Sequence, residues 1–131
     1  MSHIVTQPVT LAAAAADLDS YWSQRVVASA NGSLVKVAKG IGEVNWHHHD
    51  DQDELFLVLE GELTVRLRDD ERDPAAERAV RLAAGDLLVV PQGVEHAPVA
   101  REEARFLIMG RSITSTAAGG KPAWSEVPPA S

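Results

Sequence analysis

Apolar residues from position 26 onward fall into short extended runs that are separated by turn signals. The runs are VVASA, LVKVAK, ELFLVLEG, ELTVRLR, AVRLAAGDLLVVP and ARFLIMG. Asn31-Gly32 between the first two runs is a strong hairpin signal, and Glu60-Gly61 indicates a second tight turn. Many short strands with regularly placed turns predict an all-β sandwich or barrel.

Two of these runs differ in the spacing of their apolar residues. The run Glu62–Arg68 alternates apolar and polar residues, which predicts a strand with one face in the core and one in water. In residues 54–59 both alternating rows are apolar, which predicts burial on both faces. A small barrel cannot cover its own outer surface, so we expect a partner subunit or a terminal segment to cover the row formed by Leu55, Leu57 and Leu59.

The two ends of the chain differ in composition from this region. Residues 10–19, TLAAAAADLD, are the strongest helix candidate, since alanine has high helix propensity and Thr10 can cap the first turn; an Ala-rich linker is the alternative. Its alanine side chains can bury little apolar surface, so we expect a short lead-in segment on the surface of the protein. After Gly110, small residues and prolines replace the strand pattern. The expected parts are a lead-in with a short helix at residues 1–25, a barrel at 26–111 and an arm or tail at 112–131.

Composition narrows the chemistry available to the chain. Its 131 residues suit one domain, and the absence of cysteine excludes disulfides, iron–sulfur clusters, thiolate zinc sites and cysteine nucleophiles. The net charge of -7 argues against a nucleic-acid or anionic-membrane partner. No apolar run reaches the ~18 residues of a membrane span, and the segment MSHIVTQPVT lacks the features of a signal peptide, so we expect a cytoplasmic protein.

Three histidines and one glutamate form the candidate site. Residues two apart on a strand share a face with a rise of only ~6.6 Å, so His47 and His49 can converge while His48 faces the other way. Glu54 follows across a polar turn and could return a carboxylate to the same point. His96 would complete the set if its strand lies beside the first. Imidazole nitrogens suit a divalent transition metal, and four ligands leave positions open for a substrate.

The spacing of these residues resembles the first sequence motif of the cupin family. In that motif a His-x-His is followed by four residues, a Glu, six residues and a Gly, which correspond here to His47, His49, Glu54 and Gly61. Residues 85–96, GDLLVVPQGVEH, resemble the second motif, with glycine, proline, glycine and histidine at the family's offsets.

Two positions depart from the family's pattern. Only four residues separate Gly42 from His47, where the first motif has five, and Ala100 stands where the second motif ends in Asn. The resemblance covers about residues 34–110. Within the family, the sequence looks most similar to the small single-domain bacterial cupins that are labelled as similar to mannose-6-phosphate isomerase.

The resemblance implies a fold, a ligand set and a cofactor. The fold is a double-stranded β-helix, the cupin jelly-roll barrel, here preceded by the short helix. The metal ligands are His47, His49, Glu54 and His96. The cofactor is a divalent transition metal, either Fe, Mn, Zn or Ni, and the leucine row makes a homodimer the expected assembly. There are two alternatives to a metal site. One is a solvated histidine loop, and the other is a cupin that carries these ligands but binds no metal.

Strand parity predicts which residues surround the site. Asn45 is expected at the interior mouth, and the expected apolar walls are Phe56, Val58, Phe106 and Ile108. The alternation of side-chain direction along the strands places no basic residue inside. Arg66 and Arg68 are expected to point outward, and Lys36 alternates with apolar neighbours. A phosphate would need such a residue, so a sugar-phosphate substrate is not expected.

Three classes of function remain open. The first is a metal-dependent oxygenase that acts on a small organic molecule, an apolar or aromatic acid above all. The second is a non-redox isomerase, lyase or hydrolase, in which Glu54 could leave the metal and act as a base. The third is a non-catalytic module that binds a small ligand. Fold alone does not choose among them.

Overall fold

The computed structural model describes residues 7–111 of the chain. Within this range one short helix precedes seven strands. The elements are α1 Leu11–Ala16, β1 Arg25–Ala30, β2 Ser33–Glu43, β3 Glu54–Glu60, β4 Glu62–Arg68, β5 Arg78–Ala83, β6 Leu87–Val90 and β7 Glu95–Gly110. No helix in this part of the chain has the length and apolar character of a membrane span. The arm expected at residues 112–131 lies outside the described range.

The long strand β7 joins the two halves of the barrel. It pairs with β2 over most of its length, with β3 through its second half and with β4 through its first half. β1 adds to β2, β6 adds to β3, and β5 adds to β4. Every pair is antiparallel, and the prediction of an all-β, double-stranded β-helix is confirmed.

The two tight turns expected from the sequence both require positive φ angles. Asn31 has a φ of 53° and Gly32 a φ of 79°, which suits the two-residue hairpin between β1 and β2. Gly61, between β3 and β4, has a φ of 82°. A Cβ atom there would lie 2.8 Å from the carbonyl oxygen of Glu103, so both the backbone angle and the space favour glycine.

The interior of the barrel is apolar. On β4, Leu63, Val65 and Leu67 are buried and the residues between them are not, as the alternation predicts. Phe56 and Phe106 belong to the same buried cluster, with ring centroids 6.2 Å apart. Complete burial of such a side chain contributes roughly 1.5–3 kcal/mol to folding.

The helix is shorter and better packed than the sequence indicated. It spans Leu11–Ala16 rather than residues 10–19, and Thr10 stands at the N-cap without a side-chain hydrogen bond. Ala15 is fully buried, because α1 lies against β2, β7 and β3 on the outside of the sheet. The helix thus lies on the surface as expected, but it packs more closely than its composition indicated, because small alanine side chains allow close approach to the strands.

The outer apolar row on β3 is only partly covered. Leu55, Leu57 and Leu59 are half-buried. On the neighbouring strand β6, Val89 pairs with Leu55 and is 45% exposed, and Leu87 pairs with Leu57 and is 56% exposed. We call Leu55, Leu57, Leu87 and Val89 the β3–β6 face.

Candidate metal centre

The segment between β2 and β3 carries the first two histidines to the start of β7. His47 and His96 form an isolated antiparallel bridge, in which each backbone N–H donates to the other's carbonyl oxygen, at 3.0 and 2.9 Å. The N–H of Gly93 donates to the carbonyl of His49 at 2.8 Å. Backbone pairing thus brings the two sequence motifs together without a continuous strand at His47.

Four side chains expected at the site converge in the structure. One ligand atom from each of His47, His49, Glu54 and His96 lies within 4.8 Å of all the others. The ring of His47 is 4.4 Å from that of His96 and 5.1 Å from that of His49, measured between centroids. His48 is exposed and its Nε2 lies 3.2 Å from Asp50 Oδ1, so it points away from this cluster as its parity predicts.

Backbone carbonyls orient two of the imidazole rings. The Nδ1–H of His47 donates to the carbonyl of Asn45 at 2.7 Å, and that of His96 donates to the carbonyl of Val94 at 2.9 Å. A proton held on Nδ1 leaves the Nε2 lone pair available for a metal. Burial lowers the pKa of His47 and outweighs its hydrogen bond to Asn45, so the neutral, ligating form is favoured.

Glu54 lies at the centre of the cluster with its side chain 4% exposed. Its Oε1 is 3.0 Å from Nε2 of His96 and its Oε2 is 3.4 Å from Nε2 of His49. Burial alone raises the pKa of this carboxyl, but the polar contacts with His49 and His96 reverse that effect and hold the pKa well below its usual range. The group is therefore a carboxylate at neutral pH.

One buried atom of the cluster lacks a hydrogen bond. Nε2 of His49 is inaccessible to solvent and has no hydrogen-bond partner, and its 3.4 Å separation from Glu54 exceeds the usual 2.7–3.2 Å. A cation among the three Nε2 atoms and the carboxylate would satisfy this atom and neutralise the buried charge. Three imidazoles and one carboxylate are a donor set for Fe, Mn, Zn or Ni.

The residues expected around the site fall into two groups. Phe56, Val58, Phe106 and Ile108 are each at most 4% exposed, and the ring of Phe56 lies 6.2 Å from that of His96. Asn45 is exposed, and its contact with the cluster is made through its backbone carbonyl.

Sequence reasoning missed a buried lysine. Lys36 is 0% exposed and pairs with Ile108, which places both side chains on the interior face. The expectation that no basic residue lies inside is therefore wrong. Val37, on the opposite face of β2, is also 0% exposed because α1 packs on that side. With both faces of β2 covered, alternation could not reveal which one is the interior.

The assignment of the chain to a protein family rests on the fold, on the His/Glu cluster and on a match to a family model. A family model described as a cupin domain (Cupin_2) matches residues 33–110. The chain belongs to the cupin family.

Similar proteins include both uncharacterised cupins and dioxygenases. The uncharacterized protein YdbB of Bacillus subtilis is 44% identical over 70 residues, which are 53% of this chain and 56% of YdbB. A 3-hydroxyanthranilate 3,4-dioxygenase of Xanthomonas campestris pv. campestris is 28% identical over 68 residues, 52% of this chain and 36% of the enzyme. The match thus spans about half of the first relative's length and about a third of the second's.

Solved structures share the fold. A cupin-2 domain containing protein from Shewanella frigidimarina has a TM-score of 0.62 and 40% identity, with 70% of this chain and 82% of that chain covered. Hydroquinone 1,2-dioxygenase from Sphingomonas sp. TTNP3, with 4-hydroxybenzoate bound, has a TM-score of 0.61 and 21% identity, with 86% of this chain and 76% of that chain covered. The second likeness shows a common fold only.

Proposed function

We propose that this cupin is a metal-dependent oxygenase that acts on a small organic molecule. The observation that carries the proposal is the convergence of His47, His49, Glu54 and His96, including the buried Nε2 of His49 that lacks a partner. The sequence similarity to a 3-hydroxyanthranilate 3,4-dioxygenase supports oxygen chemistry over the other reactions that cupins could perform.

Each part of the site has a role in this proposal. When bound, a redox-active divalent metal would supply the electrons and the open coordination positions that oxygen chemistry needs. The carbonyls of Asn45 and Val94 hold two imidazoles in the ligating tautomer. Phe56, Val58, Phe106 and Ile108 form an apolar wall that excludes water beside the cluster. We expect the exposed Asn45 side chain to lie at the entrance to the site.

The identity of the metal separates this proposal from its alternatives. Iron in protein purified without added metal supports the oxygenase. Zinc or nickel instead supports a non-redox isomerase or lyase, in which the buried carboxylate of Glu54 would act as a base. A metal-loaded protein that binds small molecules but consumes no oxygen and converts none of them is a binding module.

The decisive experiment combines metal analysis with a matched pair of histidine variants. We expect about one metal per chain in the wild type and in His48→Ala, because His48 is exposed and lies outside the cluster. His96→Ala should lose most of the metal. Oxygen uptake is then measured with iron-loaded protein and a panel of phenols and aromatic acids. Full metal content in His96→Ala, or metal-loaded protein without any oxygen uptake, contradicts the proposal.

We also infer that a second copy of the chain covers the β3–β6 face. Leu87 and Val89 expose 56% and 45% of their surface beside the half-buried Leu55 and Leu57. Contiguous apolar surface of this kind is typical of an interface, and a stable dimer buries more than ~1,000 Å² in total. The face lies outside the barrel, so the dimer would leave the interior accessible.

A further inference from the structure

Two arginine side chains on the outside of the barrel lie over the tryptophan that precedes the first metal ligand. The guanidinium carbon of Arg68 is 3.8 Å from the ring centroid of Trp46, and that of Arg66 is 5.2 Å away. Trp46 directly precedes His47 in the chain. An aromatic face attracts a guanidinium group both through its charge and through stacking of the planar group. The contact with Arg68 therefore holds the residue that stands next to a ligand.

Arg68 also holds the residue that precedes the last ligand. It pairs across the strands with Glu95, which directly precedes His96. Its Nη1 lies 3.6 Å from Oε1 of Glu95, and its Nη2 donates to Oε2 of Glu77 at 3.3 Å. One arginine thus contacts the neighbours of two ligands that come from different sequence motifs. We call Trp46, Arg68 and Glu95 the outer cluster.

The ligands lie on the opposite face of the same strands. Leu67 of β4 pairs with His96 of β7, and the two residues are 3% and 1% exposed inside the barrel. Successive residues of a strand point to opposite faces. Arg68 and Glu95, each one position away, therefore lie on the outside, directly behind the metal cluster.

The backbone pairing that brings His47 to β7 is interrupted just before this residue. Glu43 pairs with Val99. The bridge between His47 and His96 comes four residues further along the first segment but only three residues back along β7. One extra residue therefore lies in this connection, as in a β-bulge, which disrupts the ladder and redirects side chains. Within the described range, Trp46 makes no backbone hydrogen bond to β7, so its side-chain contacts help to fix this segment.

Arg81 on β5 provides a comparison from the same outer face. It pairs with Thr64, which has the same parity as Arg68 on β4. Its Nη2 donates to Oε2 of Glu62 at 2.8 Å, and its side chain is 74% exposed. The side chain of Arg68 is only 27% exposed, and within the described part of the chain its buried Nε has no hydrogen-bond partner. A buried N–H without a partner costs free energy, so ion pairing alone does not account for the position of Arg68.

We propose that Arg68 is a positioning residue for the metal centre. From outside the barrel it connects Trp46 to Glu95. This connection keeps His47 and His96 at the separation that one shared ion requires, with their ring centroids 4.4 Å apart. Ligands that are already in place bind an ion more tightly, because less ordering remains to be done on binding. The inference rests on the metal centre of the proposed function and adds a residue that does not itself touch the ion.

The test titrates Co²⁺ into the metal-free protein and follows its visible absorption, which reports both affinity and coordination geometry. Arg68→Met keeps an unbranched side chain but loses the charge and the planar group. It should bind Co²⁺ roughly 10- to 100-fold more weakly than the wild type, with an altered spectrum, as is typical when a group that orients a ligand is lost. Arg81→Met, the matched control, removes an ion pair from the same face and should bind Co²⁺ as the wild type does.

Substitutions of the tryptophan test the route by which Arg68 acts. Trp46→Phe keeps an aromatic face and should retain most of the affinity, whereas Trp46→Ala should lose it. The double variant Arg68→Met/Trp46→Ala should bind Co²⁺ about as tightly as Arg68→Met alone, because the stack is already lost. Losses that add in full would mean that the two residues act independently, and they overturn the inference.

A purely structural role for Arg68 gives a different result. It would lower the urea midpoint of Arg68→Met while leaving the Co²⁺ affinity and spectrum of the folded variant at wild-type values, and that outcome overturns the inference. If Arg68→Met does not fold, Arg68→Lys replaces it. Lysine keeps a charge for Glu77 and Glu95 but has no planar group to stack on Trp46. Arg68→Lys should therefore bind Co²⁺ more weakly than the wild type, and equal affinity overturns the inference.

The same proteins separate this inference from the proposed function. Wild-type affinity and spectrum in Arg68→Met remove the positioning role and leave the oxygenase proposal intact. Weak binding by Arg68→Met, together with an iron-loaded wild type that consumes no oxygen, keeps the positioning role and removes the oxygenase. A wild type that binds no metal overturns both.

Discussion

His96 and Glu54 contact each other inside the barrel, with Nε2 of the histidine 3.0 Å from Oε1 of the glutamate. The two residues are 42 positions apart in the chain and come from different sequence motifs. Their side chains are 1% and 4% exposed, so water does not screen the contact. Because the carboxylate is ionised and has lost its hydration, the site favours any positive charge placed between them.

Metal should therefore stabilise the folded protein. A ligand that binds only the native state at 100 times its Kd adds about 2.7 kcal/mol to the free energy of unfolding. We expect added metal to raise the Tm of the wild type and of His48→Ala. His96→Ala should fold, because the core beside it is apolar, but should show little of that rise. Thermal unfolding with and without a chelator measures the effect; equal chelator sensitivity in all three proteins would place the ion elsewhere.

Acid should remove the metal and weaken the metal-free fold. Burial holds the pKa of His47 below its ordinary value, so the unfolded chain takes up this proton first as the pH falls. The stability that His47 contributes is present above its unfolded pKa of ~6.5 and is lost as the pH falls through its lower folded pKa. The depressed pKa of Glu54 acts in the same direction at lower pH.

The measurement is the Tm of wild type between pH 8 and pH 5, with and without metal. Protons compete with the cation for the imidazoles, so the metal-induced rise in Tm should shrink steeply below about pH 6.5. His96→Ala should show little metal-induced rise anywhere in this range. A rise that is constant down to pH 5 would argue against histidine ligands.

Short-range patterns predicted an all-β sandwich or barrel, and the family resemblance added its double-stranded β-helix topology. Alternation at Leu63 and Val65 and the Asn31-Gly32 turn each report a local requirement, and the structure matches them. His47 and His49 lie just before β3 and Glu54 opens it, so their spacing suggested convergence, whereas the complete ligand set with His96 came from the family resemblance.

The failures came from residues whose surroundings are distant in the chain. The burial of Ala15 depends on strands that follow it, and no propensity encodes that contact. Lys36 has apolar neighbours on both sides, so only the pairing with Ile108 reveals which face is interior. Long-range pairing decides such positions, and a single sequence does not contain it.

A charge on the β3–β6 face should separate the proposed dimer. We expect light scattering to give the mass of a dimer for the wild type and of a folded monomer for Val89→Glu. The variant should dissociate because a buried unpaired carboxylate opposes association. Ile41→Glu is the control: Ile41 is 41% exposed, similar to Val89, but lies near the far end of β2. A monomeric wild type, or dissociation of the control as well, contradicts the assignment of this face.

Removal of the Phe56 ring should be among the most damaging changes to stability. Phe56 is 2% exposed and its ring lies 6.2 Å from both Phe106 and His96. Phe→Ala in a core costs about 3–5 kcal/mol, whereas Phe56→Leu should cost less because most of the volume remains. Urea unfolding of the metal-free variants measures both values. A loss below 1 kcal/mol for Phe56→Ala would show that the interior is not tightly packed there.

Two glycines with similar backbone angles should respond differently to alanine. Gly61 has a φ of 82° and Gly85 a φ of 92°, so both substitutions force a side chain into the left-handed region. That strain costs on the order of 1 kcal/mol at either position.

Only Gly61 is also crowded, because its Cβ would lie 2.8 Å from the carbonyl of Glu103 and 3.1 Å from the Cα of Ala104, whereas nothing lies within 4 Å at Gly85. These contacts are with the backbone of β7, which cannot move without disturbing the pairing of Ala104 with Gly40 of β2. Gly61→Ala should therefore lower the free energy of unfolding more than Gly85→Ala, by at least about 1 kcal/mol. Urea unfolding of the two variants measures the difference, and equal losses would mean that β7 yields at this turn.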